Sequence, residues 1–116
     1  MDITVSLKGR VAIVGLAGKL DLASAGRLKE RVQSLLEERR CLIHLNMKEV
    51  DFINSSGLGA LVSLMKEIRM HKGRLTISDM APYVDEIFEI TQLSHVFEIF
   101  PTCEEAMTSY GTLAAV

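Results

Sequence analysis

The segment from Asp51 to Gly59 combines the residue types that a reversible phosphorylation site needs. It reads Asp51-Phe52-Ile53-Asn54-Ser55-Ser56-Gly57-Leu58-Gly59. Its two hydroxyl groups lie where an extended segment is expected to become a helix. The start of a helix has unpaired backbone N–H groups, and its dipole favours negative charge. We therefore expect a serine here, Ser55 in particular, to carry a phosphate without unfolding its surroundings.

A phosphate on Ser55 would change the surface that a binding partner meets. It adds roughly −1.5 to −2 charge, which a helix start stabilises by about 0.3–1 kcal/mol. An acidic or apolar partner surface placed over Ser55 would meet repulsion and a desolvation cost. Because a loss of ~2.7 kcal/mol weakens binding about a hundredfold, phosphorylation can end a complex while the fold survives.

Two simpler interpretations of this segment stay open at the level of sequence. Asn54, Ser55 and Ser56 are residue types that commonly cap helices, and the residues alone favour capping by roughly two to one. Gly57 and Gly59 cost helix stability, about 0.8–1 kcal/mol each relative to alanine in a helix interior. They allow either close approach of a partner or tight packing of the helix on its own sheet, and we hold these two equally.

Composition points to one globular domain that spans residues 1–116. The chain has 48% hydrophobic residues, 24% charged residues and a net charge of −2, with no basic block, so nucleic acid and anionic membrane are not expected as partners. Its apolar runs are too short to cross a bilayer, and its start lacks signal-peptide features. The two cysteines have neither metal nor CxxC spacing, so we expect reduced thiols and a cytoplasmic protein.

Hydrophobic periodicity predicts the elements that position the Ser55 segment. Strands are expected at 3–7, 11–16, 41–45, 74–78 and 96–100. Helices are expected from Ser24, as N-cap, to about 39–40, from Ser55 or Ser56 to Met70, from Pro82 onward, and at 104–110. Residues 18–21 are expected to interrupt the second strand, and residues 111–116 to be loosely ordered.

This order predicts an α/β fold. The short connection between the first two strands implies an antiparallel hairpin. The strand–helix–strand units that follow imply parallel pairing. The result is a small mixed β-sheet, an N-terminal antiparallel hairpin and then parallel βαβ units, with helices packed on it.

With these elements in place, the chain resembles a STAS domain, specifically the single-domain anti-sigma-factor antagonists of bacteria. Gly18-Lys19-Leu20-Asp21 with Ser24 is similar to the family's Gly-Glu-Leu-Asp followed by threonine or serine. Residues 42–46 and 50–53 are similar to its central strand and the segment after it. Asn54-Ser55-Ser56-Gly57-Leu58-Gly59 is similar to its Asp-Ser-Ser/Thr-Gly-Leu-Gly signature.

The resemblance implies a partner-switching cycle. The unphosphorylated antagonist binds an anti-sigma factor and so frees a sigma factor. The anti-sigma factor is also a serine kinase that uses Mg-ATP, and it phosphorylates the first serine of the pair, here Ser55, while Ser56 supports the local geometry. A serine phosphatase resets the antagonist, which itself has no cofactor, metal site or catalytic residue. The implied partner surface comprises Asn54, Ser55, Ser56, Gly57, Leu58, Gly59, Lys19, Asp21 and Ser24.

Two departures from the family pattern bear on this cycle. Asn54 replaces the usual aspartate before the acceptor serine, which is expected to alter how the kinase or its metal is engaged. Lys19 replaces the usual glutamate, on a loop expected near the partner, which is expected to invert charge pairing there.

Two other classes of function remain as alternatives. The chain could be a STAS subunit of a signalling or lipid-transport complex that is never phosphorylated. It could also be an enzyme, although the hydroxyls have no visible activating base and match neither a G-x-S-x-G elbow nor a P-loop. The three histidines, His44, His71 and His95, have no ligand or triad spacing, so core or surface roles are expected.

Overall fold

The computed structural model describes residues 1–115 as a five-stranded sheet with four helices. The strands are β1 (Asp2–Lys8), β2 (Val11–Leu20), β3 (Leu42–Ile53), β4 (Arg74–Ser78) and β5 (Glu98–Phe100); the helices are α1 (Leu22–Glu37), α2 (Ser55–Met70), α3 (Pro82–Ile90) and α4 (Cys103–Tyr110). The strands lie in the order β1-β2-β3-β4-β5. β1 and β2 are antiparallel and all other neighbours are parallel. The predicted fold class is confirmed.

Helices cover both faces of the sheet. Successive strand residues point to opposite faces, and in β2 the side chains of Val11 and Ala12 enter different apolar clusters. The larger cluster joins the sheet to buried side chains of α1, α2 and α3. The smaller one joins it to α4 and to the 3₁₀ turn Gly111–Ala114 that follows. Within residues 1–115, no helix has the length and apolar character needed to span a bilayer.

The start of α1 differs from the prediction. Asp21, not Ser24, is the N-cap: the Asp21 carboxylate accepts a hydrogen bond from the Ser24 amide, and the Ser24 hydroxyl accepts one from the Asp21 amide. Ser24 therefore occupies the third helical position of a reciprocal capping box. The helix ends at Glu37, and Arg39 adopts a left-handed φ of 62° just beyond it. The helix buries an apolar stripe against the sheet: Leu28, Val32, Leu35 and Leu36.

The two central strands are longer than their apolar runs predicted. β2 continues to Leu20 across two irregularities in its pairing with β3, so residues 18–20 extend the strand instead of interrupting it. β3 continues to Ile53 instead of ending at Leu45. Pairing of β3 with β4 stops at Asn46 opposite Ser78, and beyond that point β3 pairs with β2 alone. This part of β3 contains exposed polar residues. Its hydrophobic pattern is therefore not that of a buried strand, and the sequence did not predict it.

The remaining predictions are mostly confirmed. α2 and β4 have the predicted bounds, whereas β5 is shorter and α4 begins one residue earlier than expected. The expected looseness of the C-terminus is wrong through residue 115, because the Arg10 amide donates a hydrogen bond to the Leu113 carbonyl over 2.7 Å and Ala114 is buried. Val116 lies outside the described residues. Cys41 and Cys103 are both unbonded thiols.

Candidate functional site

The Ser55 segment lies where the carboxyl ends of β2 and β3 meet. Lys19 is registered with Phe52, and Leu20 with Ile53. Each strand then leads directly into a helix, β2 into α1 and β3 into α2. Loops at the carboxyl edge of parallel strands are the usual location of binding sites in α/β sheets. The predicted site residues Lys19, Asp21 and Ser24 lie where β2 leads into α1. The structure thus brings them beside the connection between β3 and α2.

Asn54 is the residue that caps α2, so neither Ser55 nor Ser56 is the N-cap. The Asn54 side-chain oxygen accepts a hydrogen bond from the Gly57 amide over 3.0 Å, and its carbonyl accepts one from the Leu58 amide over 2.9 Å. The Asn54 amide donates to the Leu20 carbonyl over 3.3 Å. Because Asn54 performs the capping, Ser55 is the first helical residue and its hydroxyl is not needed to start the helix.

Ser55 is exposed, and its hydroxyl has no hydrogen-bond partner among residues 1–115. The backbone amides of Ser55 and Ser56 belong to the first turn of α2, where intrahelical acceptors are missing. That turn contains no acidic side chain. A phosphate on Ser55 would therefore lie beside unpaired N–H groups and the positive end of the helix dipole, without a carboxylate in the same turn to repel it.

The two glycines of the segment have different surroundings. A Cβ atom built on Gly57 would lie 2.2 Å from the Leu20 carbonyl oxygen, so Gly57 lets α2 pack against the end of β2. A Cβ on Gly59 would have no neighbour within 4 Å, and Gly59 is exposed. Packing on the protein's own sheet thus accounts for Gly57 alone. Close approach of a partner backbone stays a prediction for Gly59.

The β2–α1 connection presents a cation and a carboxylate at the same edge. Lys19 is exposed near the end of β2, not in a loop, and its Nζ lies 5.9 Å from the centroid of the Phe52 ring. Hydrogen bonds from the Ser24 backbone and hydroxyl, the former stronger, lower the pKa of Asp21. Ser24 itself is buried, and its hydroxyl donates to the Lys19 carbonyl over 2.7 Å. Its observed role is to hold this connection in shape.

Two apolar side chains at this edge were missed by sequence reasoning. Leu22, the first residue of α1, is 77% exposed, and Phe52 at the end of β3 is 36% exposed. Large apolar side chains left in water near polar groups are typical of surfaces that a partner covers. The exposure of Leu22 follows from its place as the first residue of α1, which became known only with the Asp21 cap.

The histidines do not contribute to the Ser55 site. His44, a residue of β3, is fully buried, and its ring contacts two side chains of β4: Nδ1 lies 2.7 Å from Thr76 Oγ1 and Nε2 lies 2.7 Å from Ser78 Oγ. Burial lowers the pKa of His44 to about 4, opposed in part by the charge of Asp79. His44 is therefore a neutral core residue. Among residues 1–115, no three side chains of metal-binding type come together.

Comparison with known proteins agrees with this arrangement. The sequence model of the STAS domain matches residues 2–106. The chain belongs to the STAS domain family. It is 30% identical over 86 residues to the anti-sigma-B factor antagonist of Bacillus subtilis, covering 74% of this chain and 78% of that protein.

Solved structures share the STAS fold. An anti-sigma factor antagonist from Mycobacterium paratuberculosis superposes with a TM-score of 0.83 at 20% identity, covering 93% of this chain and 92% of the other. The Bacillus cell fate determinant SpoIIAA in its phosphorylated form superposes with a TM-score of 0.72 at 20% identity, covering 94% and 99%.

Proposed function

We propose that this STAS protein is an anti-sigma-factor antagonist switched by phosphorylation of Ser55. In its unphosphorylated form it binds an anti-sigma factor in the cytoplasm and so permits transcription that depends on a sigma factor. The observation that carries the proposal is the Ser55 hydroxyl, exposed and unbonded among residues 1–115 at an α2 start that Asn54 already caps. The similarity to the anti-sigma-B factor antagonist of Bacillus subtilis supports an anti-sigma factor as the partner.

The partner surface that we propose combines an apolar part with a polar part. Leu22 and Phe52 supply the exposed apolar area, and covering it stabilises a complex by about 25 cal/mol per Å² before the costs of association. Lys19 and Asp21 lie at the rim, where charges act mainly on specificity and association rate. Ser55 and Gly59 face the partner from the first turns of α2. A dianion at Ser55 would be desolvated or repelled in such a contact.

The covalent step needs an enzyme that this chain does not supply. A serine kinase, which we propose is the anti-sigma factor itself, transfers the γ-phosphoryl group of Mg-ATP to Ser55 Oγ; the hydroxyl proton passes to the kinase or solvent, and ADP leaves. A serine phosphatase hydrolyses the ester and returns inorganic phosphate. The antagonist acts as substrate and binding partner, not as catalyst, and needs no cofactor.

Asn54 determines what the kinase meets beside the acceptor. Its side-chain oxygen is committed to the Gly57 amide, and it has no negative charge to offer to a metal ion. We therefore propose that the kinase supplies the metal ligands and that transfer is slower than it would be next to an aspartate.

The direct test incubates the folded protein with the partner kinase and Mg-ATP and locates phosphate by peptide mass spectrometry. Ser55→Ala should abolish labelling, whereas Ser56→Ala, the matched control, should retain it. Ser55→Asp should weaken binding to the unmodified partner, by up to about a hundredfold if the loss reaches ~2.7 kcal/mol. Labelling at Ser56 alone, or none on folded protein, contradicts the proposal.

The same variants separate the alternatives. A stable complex that tolerates Ser55→Asp would identify a constitutive STAS subunit, measured by pull-down and native mass spectrometry. Multiple turnovers by the purified chain on ester or nucleotide substrates would identify an enzyme.

A further inference from the structure

β1 is the outermost strand on its side of the sheet, and its outer edge is unpaired within the described residues. Its seven residues pair with β2 in continuous register, without a bulge, and include no proline. Natural proteins usually protect a long edge strand with a bulge, a proline, an inward-pointing charge or a covering segment. The middle of β1, residues 3–7, has no charged side chain. Its backbone therefore remains open to pairing with another strand.

The hairpin turn identifies the backbone groups on this edge. Gly9, with a φ of +59°, and Arg10 form a two-residue turn between the paired residues Lys8 and Val11. Such a turn closes on a pair that exchanges two backbone hydrogen bonds. Because bonded and non-bonded pairs then alternate along an antiparallel ladder, the even-numbered residues of β1 bond to β2. The N–H and C=O groups of the odd-numbered residues 3, 5 and 7 point away from it.

We propose that β1 is a homodimer interface in which it pairs antiparallel with β1 of a second copy, centred on Val5. This register places Val5 opposite Val5 of the second copy and Ile3 opposite its Leu7. These are the residues whose backbone groups point outward. Three hydrogen-bonded pairs that each exchange two bonds give about six intermolecular hydrogen bonds. The sheet then runs continuously through both copies.

Charge complementarity favours a second copy of this chain as the partner that pairs with β1. In the Val5-centred register, Asp2 of each copy lies opposite Lys8 of the other, which forms two opposite-charge pairs on one face of the sheet. On the other face, Leu7, which is 52% exposed, is covered by Ile3 of the second copy. A shift of one residue would misalign the outward groups, and a parallel arrangement would place Asp2 near Asp2.

The contact area implies a weak, concentration-dependent dimer. Stable complexes bury about 1,200–2,000 Å² in total, and two seven-residue edges cover less than that. The interface leaves the Ser55 site accessible because that site lies between β2 and β3. The two Ser55 sites would face opposite ends of the joined sheet. The inference does not depend on the function proposed for Ser55.

A charge swap tests the interface on the full-length chain. Sedimentation velocity from roughly 10 μM to 1 mM, a range suited to an interface this small, should show reversible dimerisation of the wild type. Lys8→Glu should weaken the dimer about tenfold through two symmetric repulsions. The double variant Asp2→Lys/Lys8→Glu should restore it. Lys66→Glu, an exposed change on α2 with the same charge difference, should leave the dimer unchanged.

Hydrogen exchange supplies a second readout. The amides of Val5 and Leu7 should become protected only at high concentration, whereas those of Thr4 and Ser6 should be protected throughout. A monomer at all concentrations would overturn the inference. So would a dimer insensitive to Lys8→Glu, or a double variant that fails to regain affinity, with circular dichroism confirming that each variant is folded.

Discussion

Gly57→Ala should destabilise the protein because the new methyl group has no room. Its Cβ would lie 2.2 Å from the Leu20 carbonyl oxygen and 3.0 Å from the Leu20 carbonyl carbon. The contact is with backbone in the sheet, so no side-chain rotation relieves it. The first turn of α2 must therefore move away from β2, which also strains the 3.3 Å hydrogen bond from the Asn54 amide to the same carbonyl.

The size of the effect follows from opposing terms. Overpacking of a tight contact typically costs about 1–3 kcal/mol, and a backbone contact favours the upper half of that range. Replacing glycine within a helix recovers at most about 1 kcal/mol, and less at this third helical position. We expect a net loss of about 2 kcal/mol. For a domain of this size, about 4–5 °C per kcal/mol predicts a fall in Tm of roughly 8–10 °C.

Gly59→Ala is the matched control, two residues along the same helix. A Cβ atom at this position has no neighbour within 4 Å, so only the gain in helix propensity, about 0.8–1 kcal/mol, should remain. Its Tm should rise by about 4 °C. If a partner backbone approaches Gly59, the same variant should bind that partner more weakly although it is more stable.

Urea denaturation with circular dichroism measures both variants under one set of conditions. Opposite signs for the two alanines support the geometry. Equal stability of Gly57→Ala and wild type would refute the reasoning, because α2 could not then approach Leu20 as closely as the structure has it.

Three further predictions concern the Asn54 cap, the buried His44 and the buried Tyr110. Asn54→Ala should cost about 1 kcal/mol in urea denaturation by removing the cap, whereas Asn54→Asp should keep stability and speed phosphorylation in the kinase assay; equal losses for both would contradict the capping role. Because the unfolded chain gains a proton at His44 near pH 6.5 and the folded chain only near pH 4, stability should be complete above about pH 6.5 and fall by up to about 3 kcal/mol toward pH 4. This loss of stability toward pH 4 should persist in His71→Gln, an exposed control. A wild-type protein that keeps its full stability from pH 6.5 to pH 4 would contradict a neutral, buried His44 imidazole. Tyr110→Phe should cost about 1 kcal/mol, measured by the urea midpoint, because Thr76 loses a hydrogen-bond partner at 3.0 Å; an unchanged midpoint would show that this contact is dispensable.

Sequence periodicity predicted elements whose burial is uniform along their length. α2 combines a recognisable start with an apolar stripe, and β4 is short and almost wholly buried, so both were predicted at their observed bounds. The end of β3 was not predicted, because its second half has one neighbouring strand instead of two and is less buried. Exposed polar residues on a half-paired strand resemble a loop when only the sequence is read.

Capping was harder to assign than helix position. Asp21 and Ser24 are both suitable N-caps, and the choice between them depends on where the chain leaves β2. The structure extends β2 to Leu20, which leaves Asp21 as the first residue free to cap and draws Ser24 inside the helix. Likewise, Asn54 caps α2 because its amide is anchored to the Leu20 carbonyl.

The order of apolar, polar and turn residues along this chain was sufficient to predict the mixed sheet, the start of α2 and the candidate serine. The helix start and the serine depend on neighbours within a few positions, and the order of the elements limits how the strands can pair. Only the tertiary structure decided which serine is the more exposed, which glycine is confined and which apolar side chains remain exposed beside them. Those properties depend on Leu20, Lys19 and Leu22, more than thirty residues away in sequence, which strand pairing brings to the same edge of the sheet.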